Sequence, residues 1–273
     1  MITNIRQTAT YARYMRSLNW QVDQIDGVYV FIKKLPVLPA VIKIQRPNKL
    51  PPYKKLQALM KRYATHTITV EPNFNLKLEI GNWKFFHDPY IHTKSFHVDI
   101  QPDAQTIFNR FAPSKRRAVR RAQELGVTVE ISNDIEAFIH LKNRAAGMFL
   151  GFLTTYGFTR KLWRTFYPQH ARVILGKLKD QVVAGILLLY ANRVAYYWMA
   201  AANQAGKKHF APTLVVWEAF KFAKIQSCTT FDFEGVYDER FPAKARDWQG
   251  FSRFKAGFGG TAVYYPQAFK LKL

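Results

Sequence analysis

Two stretches of this sequence carry residues whose types and spacing could do chemistry. Between Lys115 and Arg121 five of seven residues are basic (Lys115, Arg116, Arg117, Arg120, Arg121), with no acid until Glu124. On a helix, a spacing of four stacks Arg116 over Arg120 and Arg117 over Arg121, while Ala118, Ala122 and Leu125 line another face. One face would pack and the other would attract an anion such as a phosphate; a solvated basic helix is the plainer alternative. The second stretch, FSRFKAGFGG from Phe251 to Gly260, sets Arg253 and Lys255 among three aromatics and three glycines. A lysine between aromatic walls, partly removed from water, stabilises a developing oxyanion far better than an exposed one. A surface lysine beside a glycine-rich hairpin is the competing reading. As a strand, the stretch sends Phe254 and Lys255 to opposite sides.

Other candidates carry less. His87, His92 and His97 recur every five residues, and in a strand that odd spacing puts consecutive members on opposite faces, which argues against a metal site. No HExxH, GxSxG or GxxxxGK pattern occurs, so zinc peptidase, serine hydrolase and ordinary nucleotide hydrolase have no local support. Asp232, Glu234, Asp238 and Glu239 form the densest acidic patch. They could orient an amine, or simply cap helices and solvate turns.

The charge balance sets the class of partner. With 41 Lys plus Arg against 18 Asp plus Glu, the formal charge of the 273 residues is +23, which points to an anion: nucleic acid, a phospholipid surface or a phosphorylated small molecule. A hydrophobic content of 48% excludes wholesale disorder. Cys228 is the only cysteine, so no intrachain disulfide or thiolate zinc cage can form, in keeping with a cytoplasmic location. The longest apolar run, Val182 to Ala191, is about half the ~20 residues needed to span a bilayer and reads as a buried strand. The N-terminus meets Asn4, Arg6 and Gln7 before any apolar signal region forms.

The elements that must position these residues come in two rounds. Before Pro113, helices are expected at Thr8 to Leu18 and Tyr53 to Ala64, and strands at Val28 to Lys34, Ala40 to Gln45, Thr67 to Val70, Leu76 to Ile80 and Ser95 to Ile100. After it come helices at Ser114 to Leu125, Ile135 to Gly147 and Arg160 to Phe166. Strands follow at Val127 to Ile131, Arg172 to Leu178, Val182 to Tyr190 and Arg193 to Ala200, the turn Lys179-Asp180-Gln181 making one hairpin. A loop from Asn203 to His209 leads through Pro212 into a helix ending near Ala223, then a strand at Thr229 to Phe233. This is α/β or α+β texture, a helix-covered sheet repeated twice.

The order of these landmarks resembles the FemABX aminoacyltransferases, which add amino acids from aminoacyl-tRNA to the peptide of a peptidoglycan precursor. SKRRAVRRAQELGV from Ser114 is similar to the family's basic helix, KHFAPTLVVWEAFKFAK from Lys208 with TTFDFEGV from Thr229 to its helix and strand, and FSRFKAGFGGTAVYY from Phe251 to its most specific segment. IRQTATYARYMRSLNW and VEPNF match its opening more weakly. The resemblance implies two tandem acetyltransferase-like (GNAT) domains: residues 1–113, completed by a returning strand in 264–273 and binding the acceptor, and residues 114–263, binding the aminoacyl-tRNA and holding the catalytic site. It implies that Lys255, Phe254 and Tyr197 are catalytic. Arg13, Arg16, Arg160 and Arg253 are then expected to bind substrate, and Lys115, Arg116, Arg117, Arg120, Arg121, Lys207 and Lys208 tRNA phosphates.

Phe158 and Leu162 stand where the family pattern has arginine and tyrosine, with Arg160 as the substitute, and Met199 to Ala202 replace its acceptor-side residues. The implied partners are aminoacyl-tRNA and a UDP-linked or lipid-linked precursor, with peripheral association at the inner membrane face allowed. No metal and no cofactor beyond the charged tRNA is called for. The mechanism expected is positioning plus charge stabilisation, with the Lys255 ammonium in a shielded crevice and proton removal assisted by the substrate. An acyl-CoA-dependent N-acyltransferase on the same fold is a rival, although Ala202 to His209 reads ANQAGKKH and not the Gln/Arg-x-x-Gly-x-Gly/Ala expected for a pyrophosphate loop. A non-catalytic RNA-binding protein is another.

Overall fold

A computed structural model describes residues 2–76, 83–86, 89–145, 151–242 and 246–272, with side chains omitted for 151–156 and 246. In chain order the elements begin with α1 (Ala9–Ser17), β1 (Gln21–Ile25), β2 (Val28–Lys33), β3 (Val41–Gln45), α2 (Tyr53–Arg62), β4 (Thr67–Glu71), β5 (Trp83–Phe85) and β6 (Lys94–Asp99). There follow α3 (Ala104–Asn109), α4 (Pro113–Glu124), β7 (Val127–Ser132), α5 (Ile135–Ala145), α6 (Gly151–Phe166), β8 (Ala171–Leu178), β9 (Gln181–Ala191) and β10 (Val194–Ala202). The chain ends with α7 (Gln204–Lys208), α8 (Ala211–Ile225), β11 (Thr230–Asp232), α9 (Gln249–Ala256), β12 (Thr261–Tyr264) and β13 (Phe269–Lys272).

The chain divides into two compact units, Met1–Lys94 with Tyr264–Leu273, and Ser95–Val263. In the first unit the strand order is β1-β2-β3-β4-β13-β5. Asp26 and Gly27, both with positive φ, close the β1–β2 hairpin; this Asp-Gly turn is the signal for a strand, β1, that the apolar pattern alone does not reveal. Leu56, Leu59 and Met60 recur at helical spacing on α2 and, with Tyr63 just past its end, pack with Ile42, Ile44, Ile68 and Leu271. The returning β13 pairs with β4 on one side and β5 on the other, so the last residues of the chain fill an internal position of this sheet. Most of Leu76 to Ile80, read as a strand, lies outside the described residues.

The second unit has the order β12-β6-β11-β10-β9-β8-β7. Both turns of the β8–β9–β10 meander place two consecutive residues at positive φ, Lys179-Asp180 and Asn192-Arg193, the geometry that matches the twist of paired strands. Opposite faces of this sheet are covered. A Cβ on Gly176 would meet Val215 of α8, and one on Gly185 would meet Phe138 of α5. Burial on both sides explains why β9 is a nearly continuous apolar run. Phe111, Phe220, Phe231, Phe233 and Phe258 form an aromatic knot, with ring centroids 4.4 Å apart for Phe220–Phe231 and 5.5 Å for Phe233–Phe258. Each such ring contributes about 1.5–3 kcal/mol of burial, and Phe258 thereby anchors the C-terminal end of α9 beside β11.

Three expectations are corrected. The division falls at Lys94 and not at Pro113, because β6 pairs with β11, Ile100, Ile107 and Phe111 enter the second core, and the Lys224 ammonium donates to the Ile100 and Gln101 carbonyls. Asn203 to His209 is no open loop: the Asn203 side chain accepts from the Gly206 amide (2.8 Å) and starts the short helix α7. FSRFKAG is helix α9, not a strand, so Phe254 and Lys255 diverge by about 100° and not 180°. The three glycines of the stretch, Gly257, Gly259 and Gly260, follow the helix and leave it intact.

Candidate active site

Helix α9 turns Lys255 inward until it is only 7% exposed. Its Nζ donates to the carbonyl oxygens of Phe233 (2.7 Å) and Gly235 (2.8 Å) and lies 5.1 Å from the Tyr197 ring centroid and 5.0 Å from that of Phe251. Burial pushes this ammonium down to about 8, with Glu234 and then Asp232 pulling it back up. At neutral pH it stays mostly charged. An ammonium has three N–H bonds, and two of them go to these carbonyls; Lys255 itself does not line the cavity beside β10, whereas its neighbours Tyr197, Phe251 and Phe254 do.

The carbonyls are available because of how β10 and β11 part. The two parallel strands are in register only from Val194↔Thr230 to Tyr196↔Asp232. Past that point β10 bulges between Tyr197 and Met199 against β9, and Glu234 adopts a positive φ. Bulges re-aim side chains and end pairing, and they are concentrated beside sites. In the space beside β10 lies a cavity of about 610 Å³, lined by Tyr197 and Ala200 to Ala202 of β10, Phe251 and Phe254 of α9, Ser114, Lys115 and Ala118 of α4, Lys207 of α7, and Phe210 with the first turns of α8. Burial raises the Tyr197 phenol, so its hydroxyl remains a neutral donor. Lys115 Nζ sits 3.9 Å above the Phe254 ring, lowered by burial. Its stem runs where a Cβ at Gly257 would come within 2.7 Å, so that glycine makes room for it.

A shallower hollow of about 450 Å³ is lined by Arg117, Arg120, Arg121, Glu124, Ser114, Ala118 and Phe210. It shares the last three residues with the apolar cavity, so basic surface and apolar pocket meet at one lip. The exposed Phe210 holds a left-handed backbone (φ 56°) there. No pattern in the sequence marks it.

Not every expected residue gathers here. Arg116 turns away from the stripe and donates to the Asn109 and Phe111 carbonyls (2.7 Å each), fastening α4 to the preceding turn. Arg121 is shared with Glu124 at 3.0 Å. Lys208 and Arg253 are exposed and line neither hollow. Arg160 grips Glu136 through two hydrogen bonds of 2.7 and 2.6 Å, which ties α6 to α5. Phe158 is exposed and Leu162 fully buried. Arg13 and Arg16 stand on the exposed side of α1 in the first unit, Arg13 on Thr10 and Arg16 near the Val22 carbonyl.

The acidic patch is a structural brace. Buried Asp232 accepts from Ser95 Oγ and the Glu234 amide and pairs with His97 at 3.2 Å, while buried Asp238 holds Arg240. His92 packs on Tyr265 in the first unit, and His87 lies outside the described residues; no group of potential metal ligands forms among the described residues. Burial pushes the Cys228 thiol up to about 11, which rules it out as a thiolate nucleophile at neutral pH. In the first unit the sequence hid Lys43, half-buried 4.3 Å from the Trp20 ring and pushed down to about 8 by burial. Its only signal was a lysine inside the apolar run VIKIQ.

Residues 110–243 match the acetyltransferase (GNAT) domain family. The structure of FemX superposes with a TM-score of 0.79 and 17% identity, covering 100% of this chain and 93% of that one. The chain has the fold of FemX. The resemblance to the FemABX enzymes therefore holds at the level of the fold, two tandem GNAT-like domains with the last strand returned to the first. L-PGS from Bacillus licheniformis is a more distant likeness (TM-score 0.61, 13% identity, 95% of this chain and 85% of that one). So is a conserved protein of Bacteroides thetaiotaomicron (TM-score 0.67, 12% identity, 100% and 92%). No curated protein matches the sequence. No described helix is long and apolar enough to cross a membrane.

Proposed function

We propose that this protein is an aminoacyl-tRNA-dependent aminoacyltransferase that extends the peptide of a peptidoglycan precursor. The observation that carries the reading is the buried Lys255 ammonium, held by two carbonyls behind the Tyr197 and Phe251 rings that line the apolar cavity. The adjoining basic hollow supplies charge for an RNA backbone. On this reading the second unit binds the charged tRNA in the cytoplasm and the first unit binds the acceptor, whether UDP-linked or lipid-linked.

In the reaction, the acceptor amine attacks the ester carbonyl. A C–N bond forms and an oxyanion develops, which the remaining Lys255 N–H meets. Collapse breaks the C–O bond, and the released ribose hydroxyl takes the proton given up by the amine. Tyr197 and Phe254 shape the cleft, and the low dielectric around them strengthens the lysine's field.

The acyl-CoA alternative is weakened by the starts of α7 and α8. Pyrophosphate cradles use free amides at a helix N-terminus. Here Pro212 has no N–H, the Thr213 and Leu214 amides donate to the Phe210 carbonyl, and the Gly206 amide donates to Asn203. The deciding experiment is mass spectrometry of a precursor pentapeptide incubated with the protein and a mixture of charged tRNAs. An increment of one aminoacyl residue supports the proposal; no increment, with acyl transfer from acyl-CoA instead, refutes it.

A further inference from the structure

The loop between β2 and β3 in the first unit, residues 34–40, reads KLPVLPA. Its tip points away from the core: Val37 is 93% and Leu38 67% exposed, the former the highest value among the described large apolar side chains. Pro36 and Pro39 flank the pair and are exposed as well. Prolines have no N–H, so this tip enters an apolar medium with fewer unsatisfied donors than an ordinary loop.

Cations surround the loop. Lys34 is exposed at its start, and Lys34 and Arg62 converge on one ring, at 5.6 and 5.3 Å from the Tyr63 centroid. Lys270 shares a hollow with Pro39. Lys61 adds charge in the last turn of α2, next to Arg62. Against these, Asp23 lies 3.6 Å from Arg62.

We infer that this loop is a membrane anchor: Val37 and Leu38 insert at the headgroup boundary of an anionic phospholipid bilayer while the surrounding cations bind its phosphates. An apolar tip with a basic collar is the arrangement that interfacial binding requires. Two aliphatic side chains offer no aromatic face for a nucleobase. They also present far less area than the roughly 1,200 Å² of a stable protein interface. The inference does not rest on the transfer reaction.

The test is sedimentation of the full chain with vesicles of equal parts phosphatidylglycerol and phosphatidylcholine, and with pure phosphatidylcholine, at physiological salt. The protein is expected to sediment with the mixed vesicles and not with the neutral ones. Val37→Asn with Leu38→Asn, which leaves every charge in place, is expected to lower the partition coefficient by on the order of tenfold or more. Ile225→Asn, changing a residue 76% exposed in the second unit, is expected to leave it unchanged. Leu38→Cys carrying an environment-sensitive dye, with the native Cys228 buried, should shift to the blue on the same vesicles. Binding by the double variant within twofold of the parent, equal binding to neutral vesicles, or no dye shift overturns the inference. Loss of self-association in the double variant with sedimentation intact would assign the tip to a second copy of the chain, and also overturns it.

Discussion

Replacing Lys255 with methionine separates the cost of a buried ammonium from its use. The native lysine titrates near about 8 in the fold and near ~10.4 in an unfolded chain. Below the folded value both states bind the proton and the fold bears the full penalty, about 3 kcal/mol at pH 7. Between about 8 and ~10.4 the folded protein releases its proton first, the unfolded chain binds more protons, and stability rises with pH. Methionine keeps the packing against Tyr197 and Phe251 but strips a donor from the Phe233 and Gly235 carbonyls, at a cost of about 1–3 kcal/mol for each one left dry. The two effects oppose each other, so stability at pH 7 is expected to change little. The pH dependence is the discriminating quantity: the parent should gain about 2 kcal/mol on the variant between pH 7 and pH 9.5. Urea unfolding of both proteins at the two pH values measures it, and the raised tyrosines, present in both, cancel in the difference. Parallel stability curves would show that Lys255 titrates like a solvated lysine, and the account of its burial would fail.

The same substitution is expected to lower turnover by ~10²–10³ with RNA affinity intact, because only the transition state carries the oxyanion; steady-state transfer assays with charged tRNA decide it, and an unchanged rate removes Lys255 from the mechanism. Arg117→Ala and Arg120→Ala should each weaken RNA binding across sequences and reduce the salt slope by about 1, as read by fluorescence titration, whereas Arg116→Ala should chiefly lower stability, since its guanidinium serves two carbonyls. Gly206→Ala should destabilise by about 1–3 kcal/mol, its new Cβ falling 2.2 Å from the Val183 carbonyl oxygen. Gly250→Ala, with open space around it on α9, should stabilise by up to about 1 kcal/mol; thermal melts that move both variants the same way would contradict these assignments.

Local patterns in the sequence determined a good part of this protein. Apolar runs and turn residues marked β8, β9 and β10, and Pro113 and Pro212 marked the starts of α4 and α8. These are properties of neighbours in the chain, and neighbours are what periodicity reports. The stretch around Lys255 misled because its three glycines suggested a hairpin; they lie after the helix, at its end. Equally, the five cations of α4 look alike in sequence. Only the fold spends Arg116 on backbone carbonyls, folds Lys115 over Phe254 and leaves Arg117 and Arg120 facing a hollow.

Tertiary structure alone decided what Lys255 is. Its two carbonyl partners lie 22 and 20 residues upstream, exposed to it because β10 and β11 stop pairing after Tyr196 and Asp232. A strand's composition does not say where its partner will leave it. Burial, and with it the lowered proton affinity of the amine, is a sum over atoms drawn from α9, β10 and the segment after β11. That sum exists only once those elements have packed.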